Sequence, residues 1–293
     1  MPRKSSPTTV GRERPSALPP DQPTVSHIHL PEYAPIQVMR ARFLRQTFPR
    51  HTHEQFAIGI IDRGAQRFEC ERSFYLASAG QVILNNPGDV HTGAAYAATG
   101  WTYRMLYLDP ALLGDAYADL STGSTNQVDF STPVIAEPAL ARSLADLADV
   151  LTADAPQLER DIRLLRLLGM LCERYAVVPS EAAHDRSEPQ QVKRIAEYLR
   201  GHLGDDVSLA QLATLTGLGR FALLRAFKSA TGLTPYAYLV NLRVEHARQL
   251  IVSGTALADV AAESGFHDQS HLNRHFRRIF GYTSGTYQRA CVA

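Results

Sequence analysis

The chain has 293 residues, a formal net charge of +1 at pH 7 and 45% apolar residues, enough for about two domains with substantial cores. Its three cysteines, Cys70, Cys172 and Cys291, are far apart and odd in number, which argues against a disulfide framework or a CxxC metal knuckle and favours a reduced, cytoplasmic compartment. No apolar run approaches the roughly 18 residues of a membrane span, and no apolar signal core follows the basic N-terminus.

Residues 1–25 carry six prolines and few large apolar residues, the composition of a disordered tail. Residues 26–136 change to short apolar and β-branched runs. Ile36–Leu44, Phe56–Ile61, Gln66–Cys70, Gln81–Leu84 and Tyr103–Leu108 are predicted strands, divided by Gly, Asn, Pro and Asp. Many short strands at this spacing predict a β-sandwich or barrel. Within them, His51-Thr-His53 precedes a strand that ends at Gly64, and Gly80 is followed by Asn86-Pro-Gly-Asp-Val-His91. These two segments resemble the paired motifs of the cupins, and specifically the N-terminal sensor domain of AraC-type regulators.

In cupin enzymes such histidines, with a glutamate, hold a metal. Here His51, His53 and His91 stand at the matching positions, but Ala57 and Ile58 occupy the place of the glutamate and Glu54 lies too close to the HxH pair. No cofactor is therefore assigned. Three imidazoles remain a set that suits zinc or iron, but pocket lining, ligand hydrogen bonding and structural pairing come first as roles, and His91 could equally cap its turn. Barrel mouths commonly hold small ligands. A small-molecule effector touching His51, His53, Gln55, His91 and Tyr103 is the leading expectation, and a dimerisation barrel without a ligand is the alternative.

Pro110–Leu120 reads as a short helix and Ser121–Gln127 as a polar loop. Residues 137–177 are expected to form a helical dimerisation segment. Leu140, Leu144, Leu147 and Leu151 make one stripe. Leu158, Ile162, Leu165, Leu168 and Cys172 make another, widened by Leu164, Leu167 and Leu171. A face that broad suits pairing with a second subunit, although packing on its own barrel would also use it. Residues 178–189 are rich in Pro, Ser and charge and read as a linker.

Residues 190–290 contain an internal repeat. Leu209, Ala210, Ala213 and Gly217 match Leu257, Ala258, Ala261 and Gly265. Leu223, Arg225, Phe227, Gly232, Thr234 and Tyr238 match Leu272, Arg274, Phe276, Gly281, Thr283 and Tyr287. Each copy reads as helix, turn, helix, over 208–229 and 256–279. Ser208 and Gln211 form a capping box, and Pro235 opens a connecting helix that runs to about Val252. In the second copy Leu272, His275, Phe276 and Ile279 are predicted to face inward, with Gln269, Ser270, Asn273, Arg274 and Arg277 outward. In the first, Ala222, Leu223, Ala226, Phe227 and Ala230 are predicted inward, with Arg220, Phe221, Leu224, Arg225 and Lys228 outward. Residues 189–293 hold 12 Lys and Arg against 7 Asp and Glu, whereas residues 1–188 hold 18 against 22. The basic excess thus sits with the repeats, as a polyanion partner requires.

This C-terminal third resembles the AraC/XylS family of bacterial transcription regulators, with one departure: Ser284 stands where the second copy usually has Pro. The resemblance implies an α+β two-domain chain. Its N-terminal part is a cupin-like β-barrel plus helical hairpin, and its C-terminal part is an all-α domain with two helix-turn-helix units joined by a long helix. The expected function is sequence-specific binding of double-stranded promoter DNA by a homodimer. The family implies effector response, activation more often than repression, and contact with RNA polymerase. Arg guanidinium groups read guanine, amides read adenine and apolar groups meet thymine methyls. On that basis Arg225 and Arg274 are the main base readers, and Arg220, Phe221, Leu224, Gln269, Ser270 and His271 the secondary ones. Lys228, Arg277 and Arg278 are expected on phosphates. No catalytic constellation is present, so an enzyme is not expected; the alternative is a metal-dependent cupin enzyme acting on a small metabolite.

Overall fold

The computed structural model describes residues 24–28, 36–70, 73–120, 127–178 and 190–292. The expected linker, 178–189, and tail, 1–25, lie outside these residues, except that Val178 is described and Thr24 and Val25 already belong to the first strand. The N-terminal half contains strands β1 (Thr24–Ile28), β2 (Ile36–Phe43), β3 (Thr47–His51), β4 (Phe56–Cys70), β5 (Ser73–Ser78), β6 (Val82–Asn85), β7 (His91–Ala95) and β8 (Trp101–Leu108). Helix α1 (Pro110–Leu120), short strands β9 (Asp129–Phe130) and β10 (Val134–Ile135), helices α2 (Pro138–Leu151) and α3 (Gln157–Arg174) and strand β11 (Ala176–Val177) follow. The C-terminal half is α4 (Gln190–Gly201), α5 (Leu209–Thr216), α6 (Arg220–Thr231), α7 (Pro235–Val252), α8 (Leu257–Glu263), α9 (Gln269–Phe280) and α10 (Ser284–Val292).

All strand pairs are antiparallel. One ladder runs β1-β2-β8-β4-β6-β10, and β5, β7 and β3 branch from the far half of β4. The strands expected at Phe56–Ile61 and Gln66–Cys70 are one 15-residue strand. Its first half pairs with β8 and β6, its second with β5 and β7. Gly64, with φ of +72°, sits between them. The strands wrap a common interior as a barrel does, and among the described residues the hydrogen-bonded path is open at its ends.

Side chains alternate between two apolar environments, because successive Cβ atoms point to opposite faces of a strand. Met39, Ala41, Phe43, Ala57, Ile61, Ile83, Trp101, Tyr103, Met105 and Tyr107 point into the interior. Their neighbours Ile36, Val38, Phe56, Ile58, Ile60, Val82, Leu84, Leu106 and Leu108 pack against α1, α2 and α3. A sheet covered on both sides needs near-continuous apolar strands. The predicted stripe of α2 is buried throughout, at Leu140, Leu144, Leu147 and Leu151. On α3 the buried face is Leu164, Leu167, Leu168, Leu171 and Cys172. Leu158, Ile162 and Leu165, expected on the same stripe, are 69%, 57% and 52% exposed.

The two repeat units have separate cores. The first gathers Val192, Ile195, Leu199, Leu212, Leu223, Phe227 and Leu239. The second, including Val244, Ile251, Val260, Phe266, Leu272, Phe276 and Tyr287, is continuous with the strand interior. The C-terminal half is thus seated on the open mouth of the strand domain. Among the described residues, no helix is long and apolar enough to cross a membrane.

Candidate DNA interface and sensor cavity

The two recognition helices, α6 and α9, have 12 residues each. The capping box predicted at α5 is present: Ser208 Oγ accepts from Gln211 N at 3.2 Å, and Gln211 Oε1 accepts from Ser208 N at 2.7 Å. The corner of the second unit is Gly265, at φ of +73°, where an added Cβ would lie 2.1 Å from Leu203 O; only glycine meets both conditions. Asp268 then caps α9 by accepting from His271 N at 2.7 Å. That hydrogen bond is the leading cause holding its carboxyl below the ordinary value.

Arg225 and Arg274 are each the sixth residue of their helix and both are exposed. Arg220, Lys228, Gln269, Ser270, Arg277 and Arg278 are exposed with them, and Phe221 is 84% exposed. The facing differs from the expected one at five residues. Leu224 is half-buried, and Ala222 and Ala230, expected inward, are exposed; the packed edge of α6 is Leu223 and Phe227, so the helix is rotated slightly from the expected setting. His271 is half-buried, its ring edge-on to Phe266 and its Nε2 3.1 Å from His275 Nε2, so it braces the helix start. Asn273 turns back: its Oδ1 accepts from Ser284 N at 3.1 Å and Ser284 Oγ at 2.6 Å. The polar partner explains how serine replaces proline at the first position of α10, since its N–H is satisfied from outside the helix.

Helix α7 spans 18 residues between the units, or roughly 27 Å at 1.5 Å per residue. Pro235 starts it, and Thr234 Oγ1 caps it by accepting from Ala237 N at 3.2 Å. The repeat places Thr283 at the same point before α10, accepting from Thr286 N at 3.1 Å.

The second site lies in the strand interior. Register sets His51 opposite His91 across β3 and β7, and His53 follows on the same loop. Ring centroids of His51 and His91 are 4.3 Å apart, of His53 and His91 4.9 Å, and of His51 and His53 6.2 Å. Each Nδ1 faces a backbone carbonyl: Pro49 at 2.8 Å, Gln55 at 2.7 Å and Asp89 at 2.9 Å. A neutral imidazole that donates through Nδ1 keeps Nε2 as an acceptor. Burial is the main force keeping all three neutral. It lowers His53 to about 3 and His91 to about 4, and holds His51 well below its ordinary value.

Of the expected pocket residues, His51, His53, His91 and Tyr103 line this cavity, while Gln55 serves through its backbone carbonyl. Sequence reasoning missed Gln66, Asn85, Tyr107, Met105, Ile279 and Phe280. The alternation of β4 and β8 could have revealed the barrel members. Nothing local could have revealed Ile279 and Phe280, which come from α9. Among the described residues, no group of three His, Cys, Asp or Glu is arranged to hold a metal ion.

Comparison with known proteins agrees with this two-part construction. Residues 34–168 match the family model described as an AraC-like ligand binding domain, and residues 212–290 match a helix-turn-helix domain. The HTH-type transcriptional regulator YbfI of Bacillus subtilis is 30% identical over 249 residues, covering 84% of this chain and 86% of its own. The HTH-type transcriptional activator RhaS of Pectobacterium carotovorum is 28% identical over 241 residues, covering 80% and 85%. The crystal structure of unsaturated fatty acid bound ToxT from Vibrio cholerae has the same fold, with a TM-score of 0.52 at 12% identity over 86% of this chain and 94% of that one. The chain belongs to the AraC family of DNA-binding transcription regulators.

Proposed function

We propose that the protein regulates a promoter as an effector-responsive homodimer and activates transcription there. In this reading Arg225 and Arg274 read bases, with Arg220, Phe221, Gln269 and Ser270 beside them, while Lys228, Arg277 and Arg278 hold phosphates. The observation that carries it is the pair of exposed arginines at matching positions of two recognition helices joined by one continuous helix. A rod of that length suits adjacent turns of one face of DNA, about 34 Å apart. The exposed Leu158, Ile162 and Leu165 of α3 supply the dimer contact. The cavity beneath the DNA-binding half receives the effector, and contact of the bound dimer with RNA polymerase completes activation. An activator is also what the name of the RhaS relative states.

The test is binding to a duplex selected from random sequence by the full-length protein. Arg225→Ala and Arg274→Ala should each cost about 1–3 kcal/mol and relax specificity at one position. Unchanged affinity of both variants at fixed salt would refute the assignment.

A further inference from the structure

The sensor cavity is bounded on one side by the end of a DNA recognition helix. Ile279 and Phe280, the last two residues of α9, line it together with the three histidines, Gln66, Asn85 and the two tyrosines. The free volume left is about 40 Å³. One water needs roughly 10–15 Å³ of such space, whereas small-molecule pockets run to about 300 Å³ and more. In this arrangement the cavity admits a few waters and no organic ligand of ordinary size.

The contact that closes it is extensive. Tyr282, just past α9, accepts a hydrogen bond from Gln37 Nε2 at 2.7 Å, and both residues are buried. A Cβ on Gly281 would lie 2.9 Å from Phe43 Cζ, so barrel and helix end meet at van der Waals distance. Asn241 of α7 accepts from Thr52 N at 3.4 Å, and Gln249 donates to Glu54 at 3.2 Å. The matching corner of the first unit is also seated: Arg50 donates to Gly232 O at 3.5 Å.

The walls specify what would enter. Gln66 Oε1 and Asn85 Oδ1 are buried without a hydrogen-bond partner, and a buried acceptor left unpaired is costly. The three imidazoles present Nε2 acceptors. Among the described residues no Lys or Arg lines the cavity to neutralise an anion, and Arg248, the cation whose charge reaches His53 and Tyr107, is already paired with Glu245.

Resting on the effector reading above, we propose that the end of the second recognition helix plugs this cavity, and that an uncharged ligand rich in hydrogen-bond donors binds only by displacing Ile279 and Phe280. Cavity occupancy and seating of the DNA-binding half on the barrel then exclude one another. The coupling is direct, since the displaced residues belong to the helix that carries Arg274.

The test locks the seat. A Cβ on Gly232 would lie 3.5 Å from Val90 Cβ, within the Cβ separations of a disulfide. In the full-length Val90→Cys, Gly232→Cys protein, xylitol and phenol serve as uncharged donor probes, and xylonate and benzoate as their anionic counterparts. The readout is the ¹⁵N signals of His51, His53 and His91. With the disulfide closed, no probe should shift these signals; after reduction, an uncharged probe should and the anions should not. Gln37→Leu, which weakens the seat from the barrel side without touching α9, should tighten probe binding by roughly three- to ten-fold, the range one hydrogen bond supplies; this second arm stands even if the cysteine variant does not fold. Equal shifts in locked and reduced protein, or unchanged probe affinity in Gln37→Leu, would overturn the plug while leaving an effector site in place. A response to the anions alone would overturn the ligand class. Silence of every probe in both the reduced protein and Gln37→Leu would overturn the effector reading itself.

Discussion

Arg225 and Arg274 are 49 positions apart, yet each occupies the sixth place of a 12-residue helix. The equivalence extends to Lys228 and Arg277, one turn further on and exposed. In the proposed phosphate role, such residues would contribute through counterion release and carry little base information. Lys228→Ala and Arg277→Ala should therefore weaken binding similarly on all sequences and each reduce the steepness of log affinity against log salt by about one; titrations at several salt concentrations check this. The three cavity histidines make a different prediction. Their folded-state values lie below the ordinary 6.5, so the unfolded chain binds more protons once pH drops under 6.5. Their contribution to stability is complete above that pH and is lost on acidification towards about 4 for His91 and about 3 for His53. Each such histidine adds a slope of at most about 1.4 kcal/mol per pH unit. Urea midpoints between pH 6.5 and pH 4.5 should fall less steeply for His91→Asn than for the parent.

At the scale of elements, α3 shows what a single periodic pattern leaves undecided. All of its leucines were legible as a helical stripe, but the stripe is wider than one neighbour can cover. Leu164, Leu167, Leu168 and Leu171 packed into the layer shared with α1 and α2, leaving Leu158, Ile162 and Leu165 outside. If that remainder is the dimer contact, Ile162→Glu should convert dimer to monomer in sedimentation velocity while leaving thermal stability nearly unchanged, since the side chain is exposed in the monomer. Helix limits were legible where chemistry punctuates them. The Ser208–Gln211 box, Pro235 and Gly265 all act where the sequence places them. The strands were less so. The join between Ile61 and Gln66 reads as polar, through Asp62, Arg63 and Gly64, yet β4 crosses it because each half pairs with different neighbours. The alternation that fills the cavity was visible; the contribution of Ile279 and Phe280 was not, because their apolar character looked like ordinary packing within the helix-turn-helix.

On the scale of the whole molecule, the DNA-binding half is two units of unequal attachment. The first has a core of its own, and the second shares its core with the sensor. Between them lies α7, which has no glycine and no proline beyond its first residue and so lacks the usual causes of a bend. An unbroken helix transmits rotation as well as distance. With both units on the duplex as proposed, the protein would measure phase: one base pair added between the two contacted segments turns the far segment by roughly a tenth of a revolution, which an unhinged spacer has no means to follow. Insertion of one base pair should cost more affinity than any single substitution in the intervening sequence.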